Sequence, residues 1–167
     1  HEWAVKWGPL EIGSISDSNF LDQIFSKYSF DGVIHLAAFS NVSESFVKPK
    51  EHYENNFIGT YNLLNVMLNH GVKKIVFSST CSVYGIPESI PIPEVNITNP
   101  INPYGSSKLA TEKMIRYFAS AYDMDFTHAN PVGAYPNANV SWFDYEGDSI
   151  ILQRTGGSFG FNRPLNG

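Results

Sequence analysis

The stretch Val33-Ile34-His35-Leu36-Ala37-Ala38 decides the fold. It is a short, continuous apolar run entered from Asp31-Gly32. Such a run between helical segments predicts a strand buried on both faces, as in a parallel sheet. Upstream, Asp17 or Ser18 can cap a helix reaching Tyr28, in which Phe20, Leu21, Ile24 and Phe25 recur at helical spacing. Downstream, a helix from about Pro49 to Asn69 begins on a proline suited to a first turn and stops before Gly71. Tyr53, Phe57, Tyr61 and Leu64 are its predicted apolar stripe.

The pattern then repeats. Lys74-Ile75-Val76-Phe77-Ser78-Ser79 reads as a second buried strand. From Gly85 to Pro103 the prolines at 87, 91, 93, 100 and 103 deny regular pairing, so a loop is predicted. A helix from about Pro103 to Tyr122 follows, with Ala110, Met114, Phe118 and Ala121 on one side, and Met124 to Thr127 begins a further strand. Helix and strand in alternation are the mark of a parallel α/β sheet. From Asn130 onward the pattern decays, and Ser141 to Gly167 has no clear period.

Bulk properties narrow the possible functions. A chain of 167 residues suits one domain with a sizeable core. A formal charge of −5 offers no basic footprint, which argues against nucleic acid as a partner. No apolar run is long enough to cross a bilayer, and His1-Glu2-Trp3-Ala4-Val5-Lys6 is no signal peptide, so no membrane partner is expected. The single cysteine, Cys81, fits a reducing compartment and a cytoplasmic location. The histidines are scattered without metal-ligand spacing, and no metal is expected. His35 is read as a packed core residue, and Cys81 as a buried small residue rather than a nucleophile.

In an open α/β sheet, ligands bind beyond the carboxyl ends of the strands. Ala37-Ala38-Phe39-Ser40 and Ser78-Ser79-Thr80-Cys81 stand there. Small side chains let an extended cofactor approach the backbone, and hydroxyls can bond a substrate alcohol. Tyr104-Gly105-Ser106-Ser107-Lys108 adds a phenol and an ammonium at i and i+4, on one helical face. A lysine beside a phenol favours phenolate, which makes a base able to take a proton from a sugar hydroxyl.

These segments, with Tyr53-Glu54-Asn55-Asn56, Gly59-Thr60, Val76-Phe77-Ser78-Ser79-Thr80-Cys81-Ser82-Val83-Tyr84-Gly85 and Asn102-Pro103-Tyr104-Gly105, resemble the extended short-chain dehydrogenase/reductase family, most closely its UDP-glucose 4-epimerase group. The resemblance runs from about Trp7 to Pro136. It implies a partial Rossmann-like, doubly wound parallel sheet over residues 1–136 that binds NAD, with residues 137–167 an unassigned tail. It also implies roles: Tyr104 as acid/base, Lys108 as its electrostatic partner and ribose ligand, and Thr80 as the hydroxyl bonding the sugar O4. Ala37, Ala38, Asn55, Ser78 and Ser79 match positions lining the NAD site, Ile15 one beside the adenine, and Asn130 one contacting a UDP-hexose. The implied reaction is epimerisation at C4 through a 4-keto sugar, in a possible homodimer. The related 4,6-dehydratases carry an Asp-Glu pair directly after the catalytic hydroxyl residue, where this chain has Cys81 and Ser82.

The chain also departs from the resemblance. The opening βαβ unit with its Gly-rich turn is expected before His1, and the C-terminal substrate domain is not recognisable. Thr155-Gly156-Gly157-Ser158-Phe159-Gly160 has a faint look of that turn, but Pro164 blocks a following helix, so a flexible tail is expected. Ser14 stands where the family usually has an Asp, and Ser40 where epimerases often have a Lys. Phe126-Thr127-His128-Ala129-Asn130 is shorter than its counterpart, which predicts a truncated strand. The chain by itself is therefore expected to be impaired. Two alternatives stay open: a non-catalytic truncated fragment, and another NAD-dependent nucleotide-sugar reductase or dehydrogenase.

Overall fold

Asp17 opens the first helix. Its carboxylate accepts the backbone N–H groups of Asn19 and Phe20, two donors that a first turn leaves without helical partners. The computed structural model describes residues 8–129 and the backbone of residues 150–152. Its elements begin with α1 (Ser18–Lys27), β1 (Val33–His35), α2 (Val42–Val47), α3 (Pro49–Tyr53), a π turn (Glu54–Ile58) and α4 (Gly59–Asn69). They continue with β2 (Lys74–Ser78), a 3-10 turn (Cys81–Tyr84), α5 (Pro103–Tyr122), β3 (Asp125–Ala129) and β4 (Ile150–Leu152).

The strands lie in the order β3-β2-β1-β4. β1, β2 and β3 are parallel, with Val33 opposite Ile75 and Ile75 opposite Phe126, as the alternation of elements predicts. β3 pairs with β2 from Asp125 to Ala129. β4 is antiparallel to β1, pairing Ile150 with His35 and Leu152 with Val33. It falls in the stretch taken as a tail, where three paired residues are too brief to show a period. Thr155–Gly160 lies outside the described residues.

Leu21, Ile24 and Phe25 of α1, Leu63, Leu64 and Met67 of α4, and Ile115 and Ala119 of α5 close over Val33, Ile75 and Phe77. Their burial supplies the main drive to fold, since each large apolar side chain removed from water contributes about 1.5–3 kcal/mol. Ile34 and Val76 point to the opposite face and are only half-buried. The expectation of strands buried on both faces is thus corrected. Among the described residues the second helix layer of a doubly wound sheet is absent, and the strands alternate.

Two other expectations change for one reason. The inward face of the helix from Pro49 to Asn69 begins with His52, Asn55, Asn56 and Thr60, while Tyr53 and Tyr61 lie exposed beside it. On α5 the inward face is Tyr104, Ser107, Lys108, Thr111, Glu112 and Ile115, and Ala121 is exposed. Both helices turn polar residues inward, so a search for apolar stripes picks the adjacent face. β1 also ends early, at His35 rather than Ala38. The Phe39 N–H donates to Asn56 Oδ1 and the Phe39 carbonyl accepts from Asn56 Nδ2, which draws the chain off the ladder toward the helix.

Both long helices end alike. Gly71 (φ 71°) follows α4, with Val72 N–H donating to the Met67 carbonyl and Gly71 N–H to the Leu68 carbonyl. Asp123 (φ 54°) takes the same left-handed position after α5. Gly71→Ala is expected to lower stability by about 1 kcal/mol in urea unfolding, because an L side chain is disfavoured there. Asp123→Gly is expected to raise the urea midpoint by relieving the same restriction.

Candidate active site

The π turn brings Asn55 and Asn56 inside. Wider than an α turn, it passes the Gly59 N–H back to the Glu54 carbonyl, and such turns often mark functional places in helices. The Asn56 carbonyl accepts from the hydroxyls of Thr60 (2.6 Å) and Thr111 (3.3 Å). Its side chain accepts from Asn55 Nδ2 (3.1 Å) and donates to Ser107 Oγ (3.2 Å). With the two bonds to Phe39, Asn56 ties the loop after β1, the helix after it and α5 to one point. The sequence reading named Asn55 as a site residue and missed Asn56 as the latch; adjacent asparagines inside a helix, where they are poor formers, were the available signal.

His35 sits beneath this latch, fully buried, as a packed core residue. Its Nε2 is 2.7 Å from Thr60 Oγ1, whose proton goes to the Asn56 carbonyl. Nε2 must therefore be the donor and carry the hydrogen. Burial, with the Lys108 charge nearby, pulls the His35 pKa down to about 3.

Ser78, Ser79 and Thr80 follow at the end of β2. Thr80 Oγ1 accepts the Ser82 N–H and caps the 3-10 turn, leaving its own O–H able to donate. That inward turn of Thr80 leaves Cys81 free and exposed, not buried as expected. Neither Cys81 nor Ser82 brings a carboxylate to this corner. Asn102 caps α5 through the Gly105 N–H (2.7 Å) and Pro103 fills its first position. A Cβ on Gly105 would lie 2.6 Å from the Ser82 carbonyl oxygen. The missing side chain thus lets the start of α5, and with it Tyr104, come directly against the turn that follows Thr80.

Tyr104 is buried beside His52, their ring centroids 6.4 Å apart and nearly perpendicular. Lys108, 3% exposed, donates from Nζ to the Ser78 carbonyl at 2.8 Å and lies 4.6 Å from the centre of the Phe77 ring. Burial pulls its pKa down to about 7, and the Glu112 carboxylate opposes that fall. Ala37 and Ala38 are buried at the neighbouring strand end. Ile15 is fully buried against Gly59, so its side chain is committed to packing. Asn130 lies outside the described residues. Glu112 and His52, both buried, and half-buried His128 are further polar residues that sequence reasoning did not single out; Glu112 was signalled only by standing one helical turn after Lys108.

The profile of the GDP-mannose 4,6 dehydratase family matches residues 8–137. The chain belongs to that family. The match agrees with the span of the resemblance to extended short-chain dehydrogenase/reductases. Within 131 residues the chain is 51% identical to a UDP-glucose 4-epimerase of Halalkalibacterium halodurans, covering 77% of this chain and 39% of that protein. A crystal structure of the Brucella ovis UDP-glucose 4-epimerase in complex with NAD superposes with a TM-score of 0.75 at 39% identity, over 78% of this chain and 40% of that one. The Bifidobacterium longum enzyme in complex with NAD+ and UDP gives 0.67 at 41% identity, over 72% and 36%. The chain thus spans about two fifths of the length of these relatives.

Among the described residues no group of His, Cys, Asp or Glu could hold a metal ion, and no helix is long and apolar enough to cross a membrane. The buried imidazoles have a consequence for stability. Desolvation lowers His35 to about 3 and His128 to about 4. The unfolded chain takes up these protons near the ordinary histidine value and the folded chain does not. Stability from this source is therefore full above pH 6.5 and is lost as pH falls from there toward 3. His35→Gln, which keeps the donor to Thr60 and cannot titrate, is expected to flatten the slope of unfolding free energy between pH 6 and 4 by about 1.4 kcal/mol per unit. Urea midpoints measured across that range check it.

Proposed function

We propose that this chain carries the cofactor-side chemistry of an NAD-dependent UDP-hexose 4-epimerase, with Tyr104 as the acid–base, Lys108 as its electrostatic partner and Thr80 as the hydroxyl holding the sugar O4. The observation that carries the proposal is the docking of α5 on the end of β2, where Gly105 closes on Ser82 and Lys108 bonds the Ser78 carbonyl. The family and the epimerase relatives support it.

The residues fit a dinucleotide. An ammonium has three N–H donors, and Ser78 accounts for one, so Lys108 retains donors for ribose hydroxyls. The buried methyl groups of Ala37 and Ala38 leave room beside the strand ends. Lys108 and Tyr104 would hold the nicotinamide ribose, Asn55, Ser78 and Ser79 would line the site with the alanines, and Ile15 would stand beside the adenine. Held by these residues, NAD would supply the hydride acceptor and donor for the sugar C4.

The protein side of the reaction is proton handling. The Lys108 charge favours the phenolate of Tyr104, which takes the proton of the C4 hydroxyl while Thr80 hydrogen-bonds the same oxygen. When the 4-keto sugar has turned, Tyr104 gives the proton back, so one residue serves both halves. Cys81 and Ser82 supply no carboxylate for eliminating water at C5 and C6, which favours epimerisation over dehydration. Asn130 is proposed as a UDP-sugar contact. A homodimer through α4 and α5 is part of the same reading, supported by exposed Ile58, Tyr61, Tyr117 and Tyr122 on those elements and the turn before them. So is a cytoplasmic setting, supported by the lone free thiol of Cys81.

Calorimetry of the chain with NAD is expected to give micromolar binding; none would favour a non-catalytic fragment. In the longest natural form of the protein that contains this chain, Tyr104→Phe is expected to lower UDP-glucose/UDP-galactose interconversion by about 10²–10⁴-fold with NAD binding kept. Unchanged turnover would remove Tyr104 from its role.

A further inference from the structure

α5 bears a row spaced four residues apart that runs from its inward side to solvent: Tyr104, Lys108, Glu112 and Arg116. Phenol, cation, anion and cation follow one another along it, and the first three are buried. Consecutive residues at the end of β2 hold the middle pair. The Ser78 carbonyl accepts from Lys108, and the Ser79 hydroxyl donates to Glu112 Oε1. On the other side, His128 of β3 presents Nδ1 at 3.8 Å from Glu112 Oε2.

Packing does not call for a carboxylate here. Ile115 and Ala119, further along α5, belong to the apolar core, and an apolar side chain at position 112 would avoid the desolvation of a charge. Burial does raise the Glu112 pKa, while the Ser79 hydroxyl and then the Arg116, Lys108 and Lys113 cations pull it back. What the carboxylate supplies is negative charge one helical turn from the Lys108 ammonium, opposing the desolvation that would strip its proton.

We propose that Glu112 is a positioning residue for Lys108: clamped by Ser79 and faced by His128, its carboxylate keeps the ammonium charged and in place beside Tyr104. The charged and titratable groups around the pair are Tyr104, Lys113 and Arg116 on α5, His128 on β3 and His35 on β1, with His52 of α3 against Tyr104. Arg116 is exposed and His35 and His128 stay neutral near pH 7, so among the described residues Glu112 is the anion that answers the buried cation. This inference rests on the reading of Tyr104 and Lys108 as the acid–base pair.

The test is the titration of the Lys108 ammonium by NMR in the lysine-labelled chain without cofactor, the signal assigned with Lys108→Arg. Glu112→Gln is expected to move the Lys108 midpoint down by about 1 unit, Ser79→Ala down by less, and Glu112→Asp to restore part of the loss. A Lys108 midpoint that stays put in folded Glu112→Gln, with circular dichroism unchanged, overturns the proposal. If Glu112→Gln does not fold, Ser79→Ala decides by the same criterion, an unmoved midpoint again overturning it. Because no NAD is present, this outcome is separate from a failure of the chain to bind cofactor.

Discussion

Burying the ammonium of Lys108 is the constraint on which the rest of the site depends. A charge taken out of water is tolerated only with partners in good geometry. Here they are the Ser78 carbonyl, the Phe77 ring and the field of Glu112. The first two require α5 to lie close over the end of β2. The closeness in turn requires Gly105, since any side chain there would meet the Ser82 backbone. The local geometry of Tyr104 follows from the same approach, because it precedes Gly105 on a helix whose start is set by Asn102 and Pro103.

The structure divides its work between two ends of the sheet. Toward the middle of the strands, Val33, Ile75 and Phe77 meet the apolar sides of α1, α4 and α5. Toward the carboxyl ends, the helices change character, and Asn56, Thr60, Ser107 and Thr111 satisfy one another around the Asn56 carbonyl and amide. Such a network rigidifies the corner because each member left unpaired in a dry interior would be costly. Its anchor is a π turn, within which the Asn56 carbonyl accepts from two threonine hydroxyls. Rigidity at this end suits a site that must hold a phenol and an ammonium in fixed relation.

Much of the frame was legible beforehand. Asp17 and Gly71 acted as start and stop signals where they stood, and α5 spans Pro103–Tyr122 as its sequence predicts. Tyr104, Lys108 and Thr80 were found as candidates, and the structure brings them to one corner. Leu64, Met114 and Phe118 pack into or against the core as predicted, but the inward faces nearer the site were missed, since periodicity detects apolar stripes and these faces are polar there. α2 went unnoticed because six residues carry too little pattern, and β4 because three do.

Local order, then, was in the chain itself: which residues start a helix, which end it, and which apolar runs make strands depend on neighbours within a few positions. The tertiary structure alone decided that Asn56 would meet Ser107, 51 positions away, and that Ser79 would meet Glu112, 33 positions away. It alone decided, too, that Lys108 would be drawn out of water between them. Polar partners across such separations leave no periodic trace. They find one another only when the sheet has set α5 against β2, and the electrostatics of the candidate site arise from that approach.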